Sequence, residues 1–142
     1  LKIKNYEVIK MVSLGLLIIR VVLGLTFVGH GAQKLFGWFG GHGIKGTGGF
    51  FESIGVKPGK VMALLAGLSE LVGGALFAVG LLTPLAALLI TGTMVVAIAT
   101  VHGKNGYWVT ENGFEYNLLI IVVVIGVALI GAGQYSFDAI IF

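Results

Sequence analysis

The sequence has no cysteine. Disulfide exchange, thiolate catalysis, cysteine-ligated iron–sulfur clusters and thioether-attached haem are therefore outside its chemistry. Charge is scarce as well. Only 11% of the residues are charged, against about 25% in an ordinary soluble domain. So few charges cannot cover a globular surface in water. With 57% hydrophobic residues and a mean hydropathy of +1.04, the simplest solvent for the chain is lipid. The formal charge of +3 is too small and too scattered for a nucleic-acid footprint, so no nucleic-acid partner is expected. It is compatible with a bilayer that carries anionic lipids. Proline occurs only at Pro58 and Pro84, and both read as helix boundaries. The length of 142 residues suits one small bundle and no second domain.

What the chain does have is long apolar runs. Residues 1–10 (LKIKNYEVIK) are too polar for the apolar region of a signal peptide, and no small-residue cleavage site follows. The chain begins with Leu1, and Met11 opens the hydrophobic segment. Residues 1–10 therefore read as a basic tail upstream of the expected start, and residues 11–142 as a single four-helix transmembrane domain. The spans are expected over roughly 12–33, 60–82, 84–101 and 116–132, each measured against about 30 Å of hydrocarbon. A long glycine- and aromatic-rich loop, Gly37 to Lys60, follows the first. Within it, Thr47 to Ile54 reads as a short interfacial helix with Thr47 as N-cap and Gly55 as stop. Thr83 and Pro84 read as N-cap and first helical residue, so the second and third spans pack antiparallel across a tight turn. The apolar runs are unbroken rather than alternating, which argues against a barrel. The fold class is all-α. Glycine and alanine recur at helical spacing (Ala63, Gly67, Gly74), as close helix packing in lipid requires, and such faces leave a homodimer open. A count of basic residues favours termini on the outside, with Lys2, Lys4 and Lys10 set against Lys34, Lys45, Lys57, Lys60 and Lys104.

Arg20 to Lys34 is the first run in which charge enters an apolar helix. At about 100° per residue, Arg20, Gly24, Phe27, Gly31 and Lys34 share one stripe, with His30 at its edge. Charges at such depth face a protein interior or a wet cavity. Antiparallel threading brings His30, Gln33, Lys34, His102, Glu115, Tyr116 and Asn117 to one mouth beneath the two long loops. Binding groups commonly crown a rigid scaffold in this way. Glu70 lies mid-span. Measured from the short-turn face, it stands at about 18 Å and Arg20 at about 10 Å, a gap of about 8 Å that two long side chains can close. One reading is an Arg20–Glu70 ion pair that neutralises both charges. Another makes Glu70 a proton-handling group at the base of a cavity. The two are compatible. His30 and His102 sit at similar depth on different helices, but nothing else in the spacing demands a metal or haem, and none is assigned. Gly41, Gly43 and Gly46 reproduce G-x-G-x-x-G without the strand and helix that give that motif its meaning. No motif for flavin or NAD is present.

The ordered segments LIIRVVLGLTFVGHGAQKLFGWFG, GGFFESIGVKP, LAGLSELVGGALFAVGLLTPLAA, MVVAIATVHGKNGYW, FEYNLL and GAGQYSFDAI resemble the DoxX family of integral membrane proteins, which includes CatD-type proteins named as oxidoreductases. The family pattern carries onto Arg20, His30, Gly31, Lys34, Glu70, Gly73, Gly74, Ser136 and Asp138. The resemblance implies a four-helix, multi-pass protein of a prokaryotic plasma membrane, associated with quinone, phenol or thiol redox stress. On that expectation Glu70 and His30 are the candidate catalytic, proton-handling groups. Arg20, Gln33, Lys34, His102, Glu115 and Asn117 are the candidate ligand contacts, and a quinone or small phenol is the expected ligand. The cofactor is not identified. Two further readings stand beside this one: a membrane anchor or assembly subunit for partner redox enzymes, and a small proton-coupled permease.

Overall fold

A computed structural model describes all residues from Leu1 to Phe142. The chain is helical throughout, with no strand. It has six helices: α1 Lys2–Phe36, α2 Gly43–Ser53, α3 Gly59–Val79, α4 Thr83–Ala97, α5 Glu115–Ile130 and α6 Phe137–Ile141. Four of these, α1, α3, α4 and α5, form the bundle. Three apolar helical stretches are long enough to cross a membrane: α1, α3, and α4 with its continuation to Asn105. The 16 residues of α5 are equally apolar but shorter, about 24 Å long. Side chains such as Ile18, Val22, Leu88, Leu129 and Ile130 point outward, as a lipid-facing surface requires.

The long first helix begins at Lys2, ten residues before the expected start of the span. Its 35 residues measure about 52 Å, well beyond the hydrocarbon thickness. Residues 1–12 are all exposed, and burial begins at Ser13. From there the buried positions of α1 are Ser13, Leu16, Arg20, Gly24, Phe27, Gly31 and Ala32, which include four of the five residues of the stripe read from the sequence, all but Lys34.

That stripe meets α3 backbone to backbone. A Cβ on Gly24 would stand 2.6 Å from both Ala78 N and Gly74 O. One on Gly31 would stand 2.6 Å from Leu71 N. The glycine pairs 24/31 and 67/74 are each seven residues apart, so two antiparallel helices meet at two matched contacts one heptad apart. Gly73 packs on the other side of α3, with a Cβ there reaching Leu89 at 3.0 Å. The apolar core lies where these helices converge, around Phe27, Phe77, Ile90, Val124 and Val127.

The α3–α4 turn is built by Gly80, whose left-handed φ of 67° closes α3 with N–H bonds from Gly80 to Phe77 O and from Leu81 to Leu76 O. Thr83 does not cap α4. The cap is the Asp138 carboxylate, reaching from the start of α6. It accepts from Leu82 N–H at 2.7 Å, Thr83 N–H at 3.0 Å and the Thr83 hydroxyl at 2.6 Å. A charged acceptor satisfies those donors better than a threonine hydroxyl and complements the positive end of the helix dipole. The interfacial helix also differs from expectation. It starts at Gly43, not at Thr47, because the chain already turns there (Gly43 φ 68°) and His42 O accepts the first helical N–H. Gly55, with φ 84°, follows its end, where a stop was expected.

Candidate functional site

Helical side chains lean toward the N-terminus of their own helix. On antiparallel α1 and α3 this lean decides which charges meet. Lys34 leans back along α1 while Glu70 leans toward the loop face along α3, so they converge. Lys34 Nζ donates to Glu70 Oε2 at 2.7 Å. Arg20 leans the same way as Lys34, which takes it away from Glu70 and past the end of α3, and it does not pair with Glu70. This corrects the expected Arg20–Glu70 bridge and gives Lys34 an internal partner.

Arg20 is 1% exposed and donates to the carbonyls of Ala78 at 3.3 Å, Tyr135 at 2.9 Å and Ala132. Ala78 lies in the last turn of α3, and Ala132 and Tyr135 lie just beyond α5. The guanidinium therefore sits where two helix C-termini converge. Their orphan carbonyls and the negative ends of their dipoles supply what a carboxylate was expected to supply. Gly80 makes room for it, since a Cβ there would lie 2.9 Å from Arg20 Cζ.

A cavity of about 490 Å³ lies between α1, α3, α4 and the start of α5. That is the usual size range of a small-molecule site. Its walls are largely apolar, with His30, Ser69 and Glu70 near mid-span and Lys34, His102, Tyr116 and Asn117 nearer the loops. Of the expected site residues, five line it: Glu70, His30, Lys34, His102 and Asn117. Three do not. Arg20 is at the opposite end. Gln33 lies behind His30 and holds it. Glu115 accepts from Val109 N–H at 2.9 Å and so shapes the second loop.

The hydrogen-bond network anchors both imidazoles through Nδ1. Gln33 Nε2 donates to Phe39 O at 3.2 Å, which orients its amide and leaves Oε1 to accept from His30 Nδ1 at 3.2 Å. His102 Nδ1 faces Asn112 O at 2.9 Å, and a carbonyl can only accept. Each Nδ1 is therefore the donor in its hydrogen bond, and no protein group is bonded to either Nε2. Asn117 Nδ2 donates to Met94 Sδ at 3.5 Å, a weak acceptor. The result is a polar cluster with one ion pair and two imidazoles anchored through Nδ1. It suits a ligand that carries oxygens and hydroxyl protons.

Sequence reasoning missed Ser69, Thr93 and Thr100 among the lining residues. The hydroxyls of Thr93 and Thr100 donate to Ile90 O and Val96 O of their own helix. Their spacing of seven on one face was the available signal. It also missed the π-turn Ile98–His102, whose wider winding puts three consecutive residues, Thr100, Val101 and His102, on the cavity wall. No group of three or more acidic or histidine side chains is close enough to hold a metal ion.

Residues 15–103 match the family described as DoxX. The chain is 32% identical to the protein named "Putative oxidoreductase CatD" of Bacillus subtilis, over 94% of this chain and 91% of that one. It is 30% identical to an uncharacterized membrane protein of Mycobacterium tuberculosis (84% and 77%). It is 29% identical to the inner membrane protein YqjF of Escherichia coli (93% and 95%). No solved structure matches.

Proposed function

This chain belongs to the DoxX family of membrane proteins, and on that footing we propose that it is a redox protein of a prokaryotic plasma membrane that holds a quinone or phenolic ring in the loop-end cavity. The observation that carries the reading is the Lys34–Glu70 pair lining a largely apolar pocket together with two imidazoles anchored through Nδ1. Interconversion of a quinone and its hydroquinone moves protons as well as electrons, and carboxylate and imidazole are suitable proton carriers. In this reading Glu70 and His30 exchange protons with the ring oxygens. Lys34, His102 and Asn117 bind those oxygens. The apolar walls exclude water. The chain has no thiol, so electrons come from a partner redox enzyme or a bound cofactor.

An absorption spectrum of the purified protein, together with a titration against benzoquinone and hydroquinone, tests this. Binding is expected, and Glu70→Gln is expected to weaken it or to abolish its pH dependence. No flavin, haem or quinone signal, combined with no binding, would sink the proposal. Full cellular function of Glu70→Gln alongside failure of substitutions in the first loop would instead favour the assembly-subunit reading. Exposed Trp38 and Phe39 in that loop offer such a docking surface.

A further inference from the structure

The proton-handling groups Glu70 and His30 stand near mid-span, and the cavity extends past them along α4. Its lining on α4 and the π-turn runs from Leu88 to His102, about 21 Å along the helix. A single ring fills only part of such a slot, beside these polar groups. The remainder is a cleft between α3 and α4 whose edges, Leu65 (54% exposed), Leu88 (68%) and Val96 (50%), are open to the outside. Gly92 lies on the same edge, and a Cβ built there meets nothing within 4 Å. Nearer the turn, Gly73 holds the two helices together against Leu89 and Ile90. The cleft begins where that contact ends.

The depth of this opening determines what can pass through it. Gly92 is about 14 Å along α4 from Thr83 and a similar distance from His102, so it sits at mid-span. An opening there faces hydrocarbon, not water. The outer edge of the cleft at Leu65, Leu88, Gly92 and Val96 is apolar and the Thr93 hydroxyl beside it is satisfied by Ile90 O, while Lys34, Glu70 and His30 lie further inside. That gradient matches an amphiphile.

We propose that the α3–α4 cleft is a lateral portal through which a lipid-dissolved ligand enters from the bilayer, its oxygen-bearing ring reaching Lys34 and Glu70 while its hydrocarbon tail leaves between Leu65, Leu88, Gly92 and Val96. This rests on the quinone or phenol reading and narrows it to a tailed compound, a lipid quinone or quinol. The tail lies in the open space beside Gly92 and continues into the hydrocarbon, and the ligand never has to cross the loops.

The test is binding in proteoliposomes with two probes that share a head group, 2,3-dimethoxy-5-methyl-1,4-benzoquinone and its decyl-tailed derivative. They are compared in wild type, in Gly92→Trp, which fills empty space on α4, and in Leu65→Trp on the facing edge. Wild type is expected to bind the tailed probe more tightly. Because displacing two methylenes costs about tenfold in affinity, each variant is expected to weaken the tailed probe by about tenfold or more and to leave the tailless one nearly unchanged. Tighter wild-type binding of the tailless probe, equal loss of both probes, or no loss of either in both variants overturns the portal while the ring site stands. Binding of neither probe by wild type overturns the ring site as well.

Discussion

Two charged side chains of α1, fourteen residues apart, end in opposite environments. Lys34 meets a carboxylate, whereas Arg20 meets only carbonyl oxygens at hydrogen-bond distance. Removing each therefore has a different consequence. Arg20→Met leaves three carbonyls without their donor and is expected to destabilise the fold by about 2–4 kcal/mol, read as a lower unfolding temperature in detergent. It leaves ring binding in the folded fraction unchanged, because Arg20 is outside the cavity. Lys34→Met leaves the Glu70 carboxylate buried without its partner. Breaking a buried pair costs about 3–5 kcal/mol, and since Lys34 is one-quarter exposed a loss of about 2 kcal/mol is expected here, together with loss of ring binding. Equal effects of the two substitutions on binding would contradict this division. At Asp138, burial opposes ionisation, but the hydrogen bonds from Thr83 and Leu82 and the nearby Arg20 charge more than offset it and hold the carboxyl below its ordinary range. Its stabilisation is thus complete above the unfolded value of about 3.9 and is lost as pH falls through the lower folded value. Asp138→Asn is expected to cost about 1 kcal/mol at neutral pH, and the gap to wild type is expected to close below about pH 4. A gap undiminished at pH 2 would show that the carboxylate cap does not act as described.

Among the elements, α1 and α3 were the most legible in sequence, for one reason. A period of 3.6 residues sorts side chains by face, and Arg20, Gly24, Phe27 and Gly31 are buried where that period puts them. The error lay in depth. Counting rise per residue places Cα atoms, but a long side chain acts about a turn away, toward its own N-terminus. That displacement turned an expected Arg20–Glu70 bridge into a Lys34–Glu70 bridge. The caps were misread for a related reason. The group that caps α4 is 55 residues away, at Asp138, and no local pattern around Thr83 announces it. The cavity was visible only as a gathering of polar residues, because its volume comes from the divergence of α3 and α4 and from the π-turn. The two-glycine contact between α1 and α3 makes a graded prediction. Gly24→Ala is expected to destabilise the bundle by about 1–3 kcal/mol through overpacking, while Gly29→Ala, whose Cβ meets nothing within 4 Å, is tolerated. Thermal unfolding of the two variants side by side checks it, and similar values would refute the close contact.

For the molecule as a whole, the two faces of the bundle are unlike. One carries the Gly80 turn, the N-terminal extension of α1 and the C-terminal segment. The other carries both long loops, with Trp38 in the first and Trp108 in the second. Both tryptophans are expected on the same side of the bilayer. In sealed vesicles of uniform orientation, an impermeant quencher added to one side should reach the single tryptophan left in Trp38→Phe and the one left in Trp108→Phe, or neither. Quenching of the two from opposite sides would break the four-helix threading.

The closed face is tied by Arg20, Asp138 and Gly80, while at the loop face α3 and α4 stand apart with the cavity between them. That asymmetry makes α4 a lever with a fixed fulcrum at Thr83. From there to Thr100 its arm is about 26 Å, so a tilt of only about 5° carries the far end through about 2 Å. The distance between His102 and Glu70 can therefore be tuned without breaking a hydrogen bond at the fulcrum.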